Sequence, residues 1–191
     1  MTTLFDTETP AATTAAGPRP LRVLGLDLSL TATGVCLTDG TTLTIKTRQK
    51  DGDHRLVHIA DALTSMIGDG SSVDVAVVED LPKHAMAAGI TGMVHGVART
   101  VLLRAGIPYA LVVPATLKAF ATGKGAGDKT PMAIAALKRA GREFADDNQV
   151  DAFWLRAAGL DWYEQPEFNL PQAQRDRLVK VAWPDLNGEP A

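Results

Sequence analysis

Four carboxylates carry the clearest chemical signal in the chain: Asp27, Glu79, Asp147 and Asp151. Asp27 lies in the apolar run Val23-Leu24-Gly25-Leu26-Asp27-Leu28, and Glu79 closes a second, Val73-Asp74-Val75-Ala76-Val77-Val78-Glu79. An ionised acid in a buried strand loses its solvation, so it needs a cation or strong hydrogen bonds in exchange. Asp147 and Asp151 are four apart and Asn148 and Asp151 three apart, so each pair projects from one side of a helix. Acids at this density, gathered from separate segments, suit a hard divalent cation with oxygen ligands, magnesium first among them.

Positioning such a set requires particular elements. Strands are expected near 21 to 28, 33 to 39 and 41 to 47, the last two joined at the hairpin-turn signal Asp39-Gly40. Apolar residues at Leu56, Ile59, Ala60, Leu63 and Ile67 recur at helical spacing from His54 to Ile67. The run 73 to 79 reads as a buried strand, and 85 to 105 as a helix whose glycines at 89, 92 and 96 permit close packing. A fifth strand over 109 to 113 is stopped by Pro114. A short helix over 116 to 121 leads into the loop Gly123-Lys124-Gly125-Ala126-Gly127, and helices follow at 130 to 141, 147 to 160 and 172 to 181. Three antiparallel strands, then parallel strands reached through helices, describe an α/β ribonuclease H-like fold: a mixed five-stranded sheet flanked by helices. In that arrangement the first and fourth strands are neighbours, and Asp27 and Glu79 face one crevice.

With 191 residues, 46% hydrophobic and 21% charged, the chain can bury one sizeable core. Residues 1 to 20, rich in Thr, Ala and Pro, read as a disordered tail, 21 to 160 as the folded domain and 161 to 191 as an extension with one short helix. No 18-residue apolar span or secretory start is present, so a cytoplasmic location is expected. The lone Cys36 reads as a small buried strand residue. The net charge of −3 hides a basic stretch: between Lys118 and Arg142 there are six bases and one acid, a local +5 suited to a phosphate backbone.

Five segments, taken in order, resemble motifs of the RuvC family of Holliday-junction resolvases, and more closely the short RuvC-like endonucleases of bacteriophages and actinobacteria. Gly25-Leu26-Asp27-Leu28-Ser29-Leu30-Thr31-Ala32-Thr33-Gly34 is similar to the first-strand motif GxDxSxxxTG, and Val77-Val78-Glu79 to the second acid. Pro114-Ala115-Thr116-Leu117-Lys118, the glycine loop and Asp128-Lys129 resemble the P-x-x-x-K, G-x-G and following lysine. Asp147-Asn148-Gln149-Val150-Asp151-Ala152 resembles the closing D(N)xxDA segment. The chain departs from that pattern in two places. The residue three before Asp151 is Asn148, with Asp147 the preceding acid, and Asp80-Leu81-Pro82-Lys83-His84 stands where some resolvases carry an aromatic wedge.

The resemblance implies metal-assisted cutting of four-way DNA. Two magnesium ions, roughly 3.5 to 4 Å apart in such sites, would be held by Asp27, Glu79 and Asp151, with Asp147 completing the set and manganese able to substitute. The cut would leave a 5′ phosphate. Lys83, His84, Lys118, Lys124 and Lys129 would contact DNA, Lys129 also assisting catalysis, and a homodimer would make paired nicks. Asp146 and Asp147 also suit a helix cap. Two other readings stay open: a related nuclease for forks, flaps or RNA-DNA hybrids, and an actin-like phosphate loop at 25 to 34, which would need a second domain.

Overall fold

The structure is a computed structural model describing residues 19 to 81, 88 to 125 and 130 to 186. Among these residues the centre is a five-stranded sheet in the order β3-β2-β1-β4-β5. The strands are β1 (Val23–Asp27), β2 (Ala32–Cys36), β3 (Thr42–Lys46), β4 (Val75–Glu79) and β5 (Tyr109–Val112). The first three form an antiparallel meander, and β4 and β5 run parallel to β1. The helices are α1 (His54–Ile67), α2 (Ala88–Arg104), α3 (Pro114–Thr122), α4 (Thr130–Ala140), α5 (Asp147–Trp162) and the single turn α6 (Gln172–Arg175), which continues as a 3-10 turn over Asp176–Lys180.

Strand alternation divides the apolar residues between two cores. Leu24, Leu26, Ala76 and Val78 point to the layer formed by α1 and α2, where they meet Ile59, Leu63, Val94, Ala98 and Leu102. Val23, Val75, Val77 and Cys36 point to the opposite layer, where they meet α3, α4 and α5. Buried Cys36 fits its expected strand position, and burial pushes its thiol up to about 12.

From Val150 to Asp161 every residue of α5 is buried. Such a helix has little amphipathic pattern because it is covered on all sides: the sheet lies beneath it, and α3, α4 and the C-terminal segment lie around it. Trp154 fills the gap to α4, donating from Nε1 to the Met132 carbonyl at 3.1 Å. Its ring meets Phe120, Phe153 and Phe168 edge to face. The C-terminal segment joins this core through Leu170 and Leu178, and Gln174 Nε2 donates to the Phe120 carbonyl at 2.6 Å.

Two expectations from sequence change. Pro114 ends β5 but also opens α3 as its first residue, a position where its missing N–H costs nothing. A Cβ added at Gly89, Gly92 or Gly96 meets nothing within 4 Å, so these glycines of α2 make no close packing contact among the described residues. Close contacts are made instead by Gly25, Gly34 and Gly159 at the sheet–α5 interface, and by Gly70, where an added Cβ would stand 2.3 Å from the Ala105 carbonyl oxygen.

Candidate active site

Asp27 ends β1 and Glu79 ends β4. The parallel register matches Val23 with Val75 and continues to Leu26 with Val78, so the two acids lie side by side on neighbouring strands. Both follow the alternation of Val23-Gly25 and Val75-Val77, which puts them on the α5 face. Asp27 is buried and Glu79 half-buried. The carboxyl ends of parallel strands are where open α/β sheets place their ligand crevices.

Backbone contact between α5 and the sheet brings the third acid. A Cβ at Gly25 would stand 2.1 Å from the Ala152 carbonyl oxygen, and one at Gly34 would stand 2.1 Å from that of Asn148. Only glycine permits such approach, so these two residues let the helix lie directly on β1 and β2. Gly34 is the strand partner of Asp27. Asp151, adjacent to Ala152 in the chain, is carried into this region and is 7% exposed.

The rest of the first motif is a brace. Thr33 Oγ1 donates to the Ser29 carbonyl at 2.7 Å and accepts from the Ser29 N–H at 3.2 Å, while Thr47 Oγ1 donates to the Leu30 carbonyl. These bonds fix the turn leaving Asp27. At the opposite end of the strands Asp74 accepts from the Arg22 N–H and from the guanidinium groups of Arg19 and Arg22. Burial alone would raise the Asp74 carboxyl, but these hydrogen bonds override it and hold the group well below the usual carboxylate range. The clamp ties β1 to β4 and so keeps Asp27 beside Glu79.

The start of α5 separates the neighbouring acids. Asp146 is the cap: it accepts from the Gln149 N–H at 3.1 Å and from Thr44 Oγ1 at 2.7 Å. Asp147 is exposed at the first helical position and borders a groove shared with Ile134, Leu137 and Phe144. Asn148 is half-buried over Gly34. Among the described residues, no three His, Cys, Asp or Glu side chains form a ready-made group able to hold a metal ion. Asp27 and Glu79 share a face and a strand end, and Asp151 comes to that face from α5.

Lys118 lies half-buried on α3, and Lys124 is exposed just past it, where Gly123 closes the helix at φ +82°. Lys83, His84 and Lys129 lie outside the described residues. The clamp residue Asp74 and the buried Arg156, which donates to the Thr38 carbonyl and pairs with Glu167, were not singled out by sequence. Long-range pairing leaves no local spacing signal.

No family model matches the chain. Among curated proteins it is 32% identical over 123 residues to a crossover junction endodeoxyribonuclease RuvC of Salinispora arenicola, covering 59% of this chain and 70% of the relative. The chain belongs to the RuvC family. A RuvC of Leifsonia xyli subsp. xyli is 29% identical over 120 residues, covering 57% of this chain and 58% of that protein. The fold is also that of Thermus thermophilus RuvC, with TM-score 0.63, 17% identity, 76% of this chain and 98% of the other. A structure described as T. thermophilus RuvC in complex with Holliday junction substrate superposes with TM-score 0.62, at 19% identity over 76% and 95% of the two chains. This RuvC family member therefore carries its acids on the sheet and helix of a ribonuclease H-like fold.

Proposed function

We propose that the chain is a metal-dependent endonuclease that resolves four-way DNA junctions by paired nicks. The observation that carries this reading is the placement of Asp27 and Glu79 side by side at the ends of parallel strands, beneath the helix that bears Asp151. Their oxygens suit magnesium, with manganese as a substitute, and Asp147 is the fourth ligand on the strength of its charge. When bound, the metal supplies activation of water and neutralisation of charge on the leaving oxygen, consistent with a 5′-phosphate product.

The protein's own contribution is placement. The Asp74 clamp fixes the strand register, the Ser29–Thr33 brace fixes the turn after Asp27, and Gly25 and Gly34 fix the height of α5. Lys118 and Lys124 bring positive charge to the same side of the fold, for the DNA backbone, and Lys83, His84 and Lys129 complete the proposed DNA contacts. Lys129 adds charge where the transition state gathers negative charge.

Paired cuts on a two-fold junction call for a two-fold enzyme. The outward side of α2 offers the surface: Ile90 and Met93 are 55% and 42% exposed beside glycines with open space. Cleavage of a labelled panel, comprising four-way junction, fork, flap, duplex and RNA-DNA hybrid, with and without magnesium, tests the reading. Magnesium-dependent paired nicks in the junction are expected. Preference for the hybrid or flap refutes the resolvase assignment and leaves the fold untouched.

A further inference from the structure

Between α3 and α4 lies a cleft of about 520 Å³ whose rim carries Lys118, Lys124, Lys138 and Arg139, with no acid among the described residues that line it. The volume falls within the roughly 300–1,000 Å³ of sites that hold small molecules. Its floor is apolar: Ala121 and Met132 are buried, Ala135 is half-buried, and Ile134 stays 46% exposed. The rim is held in place. Thr122 Oγ1 donates to the Lys118 carbonyl at 2.8 Å and accepts from the Lys124 N–H at 3.2 Å, and Arg139 Nη1 donates to the Asn169 carbonyl at 3.0 Å.

Lys138 and Arg139 close the last turn of α4, where the helix dipole favours cations, and that accounts for two of the four. It does not account for their convergence with Lys118 of α3 and Lys124 just past it around an exposed apolar surface. A duplex keeps its bases stacked and paired inside the helix and presents little apolar area to such a floor. An unpaired nucleotide matches both parts, because its phosphate meets the cations while its base covers Ile134 and Ala135 and removes apolar area from water.

We propose that the α3–α4 cleft is a nucleotide pocket, in which an unpaired nucleotide of the branched DNA seats its phosphate on the rim cations and its base on the apolar floor. This rests on the reading of the chain as a DNA nuclease, and it gives that reading a place to hold strands opened at the branch. No aromatic wedge is needed for such a site.

The test uses the full chain in EDTA, with methyl groups of Met and Ile isotopically labelled, titrated separately with thymidine 5′-monophosphate, thymidine and inorganic phosphate. The nucleotide should shift the Met132 and Ile134 methyl resonances, and inorganic phosphate should not. Removing one exposed cation, Lys138→Gln or Arg139→Gln, should weaken the nucleotide about twofold to fivefold, as expected for an exposed charge pair. Ala135→Leu, which fills the floor, should abolish the methyl shifts with the thermal melt unchanged. Equal responses to phosphate and nucleotide, or nucleotide shifts that persist in Ala135→Leu, overturn the pocket and leave only an electrostatic groove. If Ala135→Leu does not fold, the two rim variants and the phosphate comparison still decide. Loss of junction cleavage in the wild-type protein would overturn the nuclease reading instead, and that is measured separately.

Discussion

Replacing Gly25 with alanine tests whether α5 is held at its height by a backbone contact. The added Cβ would stand 2.1 Å from the Ala152 carbonyl oxygen and 2.9 Å from the Arg156 nitrogen, where ordinary contact begins at 3.4 Å. The helix must therefore retreat by roughly 1.3 Å, and no side-chain rotation can relieve it. Overpacking of a core costs about 1–3 kcal/mol, and a rigid backbone obstacle puts this variant at the upper end, about 3 kcal/mol. Asp151 moves with Ala152, and a shift of about 1 Å in a catalytic geometry lowers turnover about 100-fold. Urea unfolding followed by circular dichroism gives the first quantity, and single-turnover cleavage of a four-way junction at saturating protein gives the second. Two controls bracket the result. Gly159→Ala, near the other end of α5, meets methyl groups of the stiff, buried Val23 and Val77 at 2.8 Å, so it should also destabilise, but it lies eight residues from Asp151 and its effect on cleavage should be smaller. Gly92→Ala enters open space on α2 and should stabilise by up to about 1 kcal/mol. A Gly25→Ala protein with the wild-type midpoint and the wild-type rate would refute the argument.

The Asp74 clamp predicts a pH dependence. Its folded-state carboxyl lies below the unfolded value, so its contribution is full above about pH 4 and is lost as the pH falls through the folded value. Asp74→Asn should therefore lower the urea midpoint at pH 7, with the gap closing as the pH falls below about 4, and a gap constant across that range contradicts the assignment. For the fourth ligand, Asp147→Asn should slow cleavage at least about tenfold on the charge argument, while Asn148→Ala keeps the Cβ that rests on Gly34; loss confined to Asn148→Ala moves the ligand to the amide. If α2 is the dimer face, light scattering should give twice 20.2 kDa for the wild-type chain and 20.2 kDa for Ile90→Asp. Lys124→Ala should flatten the salt dependence of log K for DNA by about one unit, and an unchanged slope returns Lys124 to a solvated surface.

The meander, the crossover helices and the placement of the first two acids at strand ends were legible because each rests on a local pattern. Alternation marks β1 and β4, helical spacing marks α1, and an acid closing an apolar run stands out wherever it occurs. The glycines were read less well. Gly89, Gly92 and Gly96 sit at packing intervals yet meet none of the described residues, while Gly25 and Gly34 appeared as motif letters and proved to be points where α5 meets the sheet. Spacing along one helix cannot tell which side faces its partner, and the contact between Gly34 and Asn148 joins residues 114 positions apart. The extent of α5 was underestimated for a related reason, since a helix buried on every side shows no periodic stripe. The role of Asp146 as the cap, rather than Asp147, depends on Thr44 reaching across from β3, which no local signal contains.

The central claim is that Asp27, Glu79 and Asp151 act as one metal-dependent site on DNA. It is tested most directly by comparing Asp27→Asn and Glu79→Gln with the wild-type chain on a labelled four-way junction, measuring binding without divalent metal and cleavage with magnesium. Removing a carboxylate charge leaves the phosphate contacts in place, so both variants should bind with affinity close to wild type and should yield no cut product. Turnover retained in either variant contradicts the account.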